Sequence, residues 1–161
     1  MAEKVTLKSS DKQEFQVDED VAFQSITVKN MLEDTGADFA VPLPNVNGAT
    51  LSKVLEYCSK HSEHQKLVDN APDEHAKRAL EKTMTQWDKD FIDVDQNVLY
   101  FVTLAANYLN IKDLLGLCCQ TVADIIKGKT PDEIRAYFNI KNDFTPEEEE
   151  EVRRENQWAF E

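Results

Sequence analysis

The hydrophobic pattern of the chain changes its period near residue 49, and this change limits the fold more than any other feature. Before it, polar and apolar residues alternate in three short runs, whose apolar members are Val5 and Leu7, Phe15 and Val17, and Phe39, Val41 and Leu43. Alternation of this kind is typical of β-strands. Pro42 and Pro44 remove backbone hydrogen-bond donors, so the third strand is expected to be short or to lie at a sheet edge.

After residue 49 the apolar residues recur at helical spacing. A first helix is indicated by Leu51, Val54, Leu55 and Cys58. Two further stripes predict consecutive long helices with these residues on their buried faces: Val98, Phe101, Val102, Ala105, Tyr108 and Leu109, then Ile111, Leu114, Leu115, Cys118, Val122, Ile125 and Ile126. Residues 61–86 contain few large apolar side chains, which predicts a flexible, solvated loop with at most a short helix.

Start and stop signals define the smaller helices. Ser25 is placed to cap a short helix that stops near Gly36. The sequences TPDE from residue 130 and TPEE from residue 145 each combine a capping threonine with a proline in the first turn, so each predicts a helix start. The apolar residues of 130–161 are too few and too scattered for a core of their own. They either dock on the N-terminal part or serve a partner, and composition leaves both open.

The charge balance excludes several classes of partner. Acidic residues outnumber basic ones by 31 to 18, giving a formal net charge of −13. This field repels phosphate groups, so nucleic-acid and anionic-membrane partners are not expected.

No apolar stretch approaches the roughly 20 residues that cross a bilayer, and the N-terminal residues lack a signal-peptide core. The expected location is the cytoplasm and the nucleus.

Two clusters of metal-ligating residue types are incomplete. Cys58, His61 and His64 are spaced three apart on a helix, but a fourth ligand is missing. A second cluster lacks the glycine and glutamate positions of an EF-hand loop, and it consists of Asp88, Asp90, Asp93 and Asp95. The sequence therefore predicts no metal site, although an enzyme or metal protein built on the Cys58 cluster is the alternative from a different functional class.

Nucleophilic and phosphate-binding motifs are also lacking. The three cysteines give no disulfide framework, and Cys118 and Cys119 lie in an apolar helical stripe. Both are therefore expected to be buried structural thiols. The four glycines are too far apart to form a phosphate-binding loop. The sequence therefore predicts that the chain is not an enzyme and uses no cofactor.

Several long motifs are similar to those of one known family. They are LKSSD from residue 7, VPLPNV from residue 41, LAANYLNI from residue 104, TVADIIKGKTP from residue 121, FNIKNDF from residue 138 and RRENQW from residue 153. With these motifs the chain resembles the S-phase kinase-associated (Skp) adaptor family of SCF ubiquitin ligases. The final residues AFE resemble plant members.

The resemblance implies a fold and a domain division. The expected fold is of the α+β class, with a BTB/POZ-like domain over residues 1–127, including the flexible loop 61–86, and C-terminal helices over residues 128–161. It further implies a non-catalytic adaptor that bridges a cullin scaffold and F-box substrate receptors, which places the chain in ubiquitin-dependent protein degradation. The alternative is a cullin-independent subunit that stabilises F-box proteins. A weak homodimer of the free chain is left open.

The same resemblance implies two sets of interface residues. The F-box face would consist of Val122, Ile126, Phe138, Ile140, Lys141, Asn142 and Trp158. The cullin face would include Asn107 and Tyr108. No catalytic or metal-binding residue is implied.

Overall fold

The computed structural model of the chain describes residues 3–36, 38–138 and 145–155. These residues form a small sheet and a larger set of helices, so the α+β class predicted from the sequence is confirmed. The strands are β1 (Lys4–Lys8), β2 (Glu14–Asp18) and β3 (Val41–Pro42). The helices are α1 (Glu19–Ala22), α2 (Ile26–Thr35), α3 (Gly48–Asp69), α4 (Glu74–Ile92), α5 (Gln96–Leu109), α6 (Lys112–Ile126), α7 (Pro131–Phe138) and α8 (Pro146–Glu155).

The sheet has the strand order β2-β1-β3, with β1 in the centre. β1 pairs with β2 in the antiparallel direction and with β3 in the parallel direction, so that Leu7 lies between Phe15 and Val41. Val5 and Leu7 are buried. The third strand is two residues long and lies at an edge, as the two prolines predict.

Helix α2 begins and ends at the predicted residues. The Ser25 hydroxyl accepts a hydrogen bond from the Val28 amide, which satisfies one of the free donors of the first turn. Gly36 follows the last turn with a φ of 81°, a backbone conformation that glycine adopts without strain. These two residues alone were enough to define the helix from the sequence.

The prediction of a flexible loop over residues 61–86 is wrong. α3 continues to Asp69 and α4 starts at Glu74, so two long helices cover nearly all of that segment. Asp73 caps α4 through the Ala76 amide. Helix α4 has an apolar stripe at helical spacing that lies against α3. It consists of Leu80, Met84, Trp87 and Phe91. Few apolar residues suffice here, because only one face of each helix is covered.

Helix α5 is rotated relative to its predicted buried stripe. Its buried residues are Leu99, Val102, Ala105, Ala106 and Leu109. Val98 and Phe101, which the sequence placed on the buried face, are exposed, and Tyr108 is half-buried. Apolar residues occur all round this helix, so their spacing did not decide which face is covered.

The contacts divide the chain into two compact units, Met1–Gln120 and Thr121–Glu161, with the division inside α6. In the second unit, α7 starts with the predicted reciprocal cap: the Glu133 amide donates to the Thr130 hydroxyl and the Thr130 amide donates to the Glu133 carboxylate. α8 starts in the same way with Thr145, whose hydroxyl accepts from the Glu148 amide. Both predicted helix starts are confirmed.

Within the described ranges, no helix has the length and apolar character needed to cross a membrane.

Candidate protein-interaction surfaces

The exposed side of α5 carries an unusual number of large apolar side chains. Tyr100 is 58% exposed, and Phe101 and Leu104 are each 48% exposed. At about 100° per residue these three lie within one third of the helix circumference, together with exposed Asn107 and half-buried Tyr108. We call these five residues the α5 face. Exposed apolar residues that cluster on one face are typical of a surface that binds another protein.

The α5 face is held by a well-packed support. Leu99, Val102 and Ala106 on the opposite side are almost completely buried, and α3 packs closely on the same helix. Asp95 caps the helix start by accepting a hydrogen bond of 2.9 Å from the Val98 amide. The Tyr100 and Phe101 rings meet edge to face, with centroids 5.6 Å apart. The face is therefore presented by a helix that is fixed on its inner side and capped at its start.

The sequence located only part of this surface. Asn107 and Tyr108, assigned to the cullin face by resemblance, lie together on the last turn of α5. The helical spacing predicts a buried position for Phe101 and assigns no role to Tyr100 or Leu104, so these three residues are absent from the predicted face. The signal that could have revealed them is the excess of apolar residues in α5 over what one buried stripe requires.

The predicted F-box residues are only partly within the described chain. Val122 and Ile126 lie one turn apart on the last part of α6, and both are half-buried. Phe138 is the last residue of α7. The other four assigned residues lie outside the described residues, and they are Ile140, Lys141, Asn142 and Trp158.

Polar contacts join the helices of the second unit. Arg135 of α7 lies 2.8 Å from Asp132 and 3.6 Å from Glu149 of α8. The Lys129 ammonium lies 4.4 Å from the centre of the Tyr137 ring, a cation–π contact. No residue of α8 is buried within its described span, Pro146–Glu155. The ion pair between α7 and α8 thus involves Arg135, whose side chain is only 16% exposed.

The thiols and imidazoles do not form a reactive centre in the described residues. Burial raises the pKa of the Cys58 thiol to about 12, and burial likewise raises the pKa of Cys118. The structure corrects the expectation for Cys119, which is exposed because it lies on the outer side of α6. His61 is hydrogen-bonded to Asp88 at 2.7 Å. Among the described residues no group of three or more histidine, cysteine or acidic side chains is arranged to hold a metal ion.

An open polar cavity of about 440 Å³ lies beside α1, α3 and the start of α6. Asp20 and Lys66 on its wall form an ion pair of 2.6 Å, and the Ser62 hydroxyl also donates to Asp20. These hydrogen bonds, that of Lys66 above all, hold the pKa of Asp20 below its ordinary value. The two charges are satisfied within the chain, so they indicate no ligand.

Comparison with known proteins identifies the family. Residues 3–63 match the model described as Skp1 family, tetramerisation domain, which is the POZ part, and residues 112–159 match Skp1 family, dimerisation domain. SKP1-like protein 1A of Arabidopsis thaliana is 58% identical, over 99% of both chains. SKP1-like protein 20 of Oryza sativa subsp. japonica is 57% identical, over 98% of this chain and 94% of its own.

The similarity is thus full-length and the compared proteins are from plants, as the AFE ending indicates. The family matches cover the strands, the first part of α3 and the C-terminal helices. Together with the full-length similarity they show that the chain belongs to the Skp1 family, the non-catalytic adaptors of SCF ubiquitin ligases that bridge a cullin scaffold and F-box substrate receptors.

Proposed function

We propose that the two interfaces of this adaptor use separate parts of the chain, and that the α5 face contacts the cullin. The observation that carries this assignment is the exposure of Tyr100, Phe101 and Leu104 beside Asn107 and Tyr108 on one side of a firmly packed helix. Aromatic side chains are enriched at the desolvated centre of protein interfaces, and Tyr100 and Phe101 supply two of them here. This exposure supports adding Tyr100, Phe101 and Leu104 to the two residues assigned by resemblance.

The F-box receptor is assigned to the second unit. Val122 and Ile126 present apolar side chains that the described residues leave half-buried. The helices α7 and α8 are joined by the Arg135–Glu149 ion pair, and α8 has no buried residue within its described span. An F-box partner would cover the half-buried apolar side chains. Phe138, Ile140, Lys141, Asn142 and Trp158 belong to the same proposed face on the strength of the family resemblance.

The chain itself is proposed to have no enzyme activity and to need no cofactor. Two of its three thiols are buried with raised pKa values, which disfavours the reactive thiolate form. Its task is to accept different F-box receptors, so that exchange of the F-box subunit changes the substrate of the ligase.

The remaining properties follow from charge and exposed apolar surface. The net charge of −13 disfavours nucleic acid and anionic membranes as partners. We propose the cytoplasm and the nucleus as the location of the protein. Exposed apolar surface also gives the free chain a weak tendency to form homodimers, which partner binding would suppress.

A binding experiment with purified components tests the adaptor role. The chain is immobilised and exposed to a cullin N-terminal domain, to an F-box domain, and to both together. The expected result is binding of each alone and a ternary complex with both. Binding of the F-box domain without any binding of the cullin would instead support the cullin-independent stabilising subunit.

A further inference from the structure

The C-terminal end of α5 is closed by hydrogen bonds that involve residues beyond the helix. The last four carbonyl groups of an α-helix have no partner within the helix. At the end of α5 the Asn110 and Ile111 amides donate hydrogen bonds to the Ala106 carbonyl. The Asn110 amide also donates to the Asn107 carbonyl at 3.2 Å. Asn110 adopts the left-handed conformation that this ending requires, with a φ of 53°. Two carbonyls are then left, those of Tyr108 and Leu109.

The start of α2 satisfies both of these carbonyls. The Thr27 hydroxyl donates to the Tyr108 carbonyl at 2.9 Å, and the Ser25 hydroxyl donates to the Leu109 carbonyl. Between them, the Ile26 amide reaches the Asn110 carbonyl at 3.4 Å. The N-terminus of one helix thus meets the C-terminus of the other, an arrangement that the opposite partial charges of the two helix ends favour.

From this geometry we infer that Thr27 is a positioning residue of the α5 face, acting on the last turn of α5 through the Tyr108 carbonyl. The inference rests on the proposed cullin role of that face. Asn107 and Tyr108 lie on the turn that Thr27 holds, and a helix end without its hydrogen-bond partners frays. Thr27 is more than 80 positions away in sequence, and its contact is an interaction with backbone rather than with the Tyr108 ring.

A substitution of Thr27 tests the positioning role with less disturbance of the fold than a substitution of Ser25. Ser25 is 4% exposed and also accepts the capping bond of α2 from the Val28 amide, so its replacement would disturb two helices. Thr27 is half-buried and lies inside the first turn of α2, where the cap belongs to Ser25. Thr27→Val keeps the shape and the β-branch but removes the donor. Thr27→Ser keeps the donor.

The same helix supplies a matched control. The Thr35 hydroxyl donates to the Met31 carbonyl of α2 itself, on an exposed part of the last turn. Thr35→Val makes the same chemical change and removes a bond of similar length, 2.7 Å, but it leaves the start of α2 and the end of α5 as they are.

The experiment uses the full chain with two readouts. The first is hydrogen exchange at the Asn110 and Ile111 amides, which report closure of the α5 end. The second is affinity for a cullin N-terminal domain and for an F-box domain. For Thr27→Val we expect about three- to tenfold faster exchange at these amides and a comparable loss of cullin affinity, with F-box affinity unchanged. Thr27→Ser and Thr35→Val should behave like the parent chain.

The possible failures are distinct. Unchanged exchange at Asn110 and Ile111 in Thr27→Val would overturn the positioning role whatever happens to binding. Faster exchange with unchanged cullin affinity would also overturn it, provided that Asn107→Lys/Tyr108→Lys abolishes cullin binding. If that double variant still binds the cullin, the proposed cullin face itself is wrong and the inference falls with it. Equal loss of both partners together with a lower melting temperature would show that Thr27 serves only the fold.

Discussion

Nε2 of His61 lies 2.7 Å from Oδ1 of Asp88, and this hydrogen bond joins α3 to α4. The contact is enclosed by aromatic rings. The imidazole stacks on Tyr57 with centroids 4.0 Å apart, and Trp87 stacks on Phe91 at 5.1 Å. The hydrogen bond and the aromatic cluster together hold α3 against α4, the helix pair that the sequence failed to predict.

Replacing His61 by alanine should destabilise the protein measurably. The change removes a half-buried ring, leaves the Asp88 carboxylate without this donor and opens the stack on Tyr57, so we expect a loss of about 1–3 kcal/mol in the free energy of unfolding. Urea denaturation followed by circular dichroism measures it. His75→Ala, at an exposed position of the same helix pair, is the control and should change stability by less than about 0.5 kcal/mol. Equal effects of the two changes would contradict the structural role of the His61–Asp88 bond.

The three cysteines should differ sharply in reactivity. Cys58 and Cys118 are buried, and burial raises the pKa of both thiols, so little thiolate forms and the reagent has no access to it. Cys119 is exposed. We expect iodoacetamide at about pH 8 to modify one thiol of the folded chain rapidly and all three in denaturant, as counted by mass spectrometry. In Cys119→Ser the rapid modification should disappear, and its persistence would place a second thiol at the surface.

The α5 face is tested by charge insertion. Asn107→Lys/Tyr108→Lys would place two ammonium groups in a contact that must lose its water, which costs several kcal/mol without new partners. We expect cullin binding to fall by at least about a hundredfold, with F-box binding and the melting temperature nearly unchanged, as measured by calorimetry and thermal unfolding. Leu104→Asp, at an exposed position, should reproduce the effect without altering the half-buried Tyr108. A melting temperature lowered together with both affinities would instead assign these residues to the fold.

The C-terminal interface is tested by truncation. Deleting residues 130–161 removes α7 and α8 but retains the residues of the sheet and of α1 to α6. We expect loss of F-box binding with cullin binding retained, measured by pull-down with each partner. Trp158→Ala should by itself weaken F-box binding by about 2 kcal/mol or more if this tryptophan is an interface anchor. Unchanged F-box affinity of a folded truncated chain would refute the assignment.

Local signals in the sequence were sufficient wherever one residue decides an element. Ser25 and Gly36 define α2, Thr130 and Thr145 define the starts of α7 and α8, and Pro42 restricts β3. Each acts through its own backbone geometry or hydrogen bond, so no knowledge of distant contacts is needed. The roles of all the residues assigned to the two interfaces, and the domain boundary at residue 127, stay predictions.

Tertiary contacts decided the features that the sequence did not reveal. Trp87 and Phe91 form a packed face of α4 because their rings lie next to Tyr57 of α3. Phe101 could equally have been buried, and the packing of α3 on α5 selected Val102 and Ala106 instead. The donation from Thr27 to Tyr108 joins residues far apart in the chain, and no local pattern indicates it.

The turn between α3 and α4 offers a place to attach a probe. Asn70 ends α3 by donating a hydrogen bond from its amide to the Lys66 carbonyl, and Asp73 separately caps α4, so that Ala71 and Pro72 alone lie between the two capping residues. Pro72 is exposed, and a flexible insertion beside it would leave both caps in place at a small loop-closure cost. A fluorophore or short epitope inserted there would report on assembly of the ligase while leaving the residues assigned to both partners unmodified.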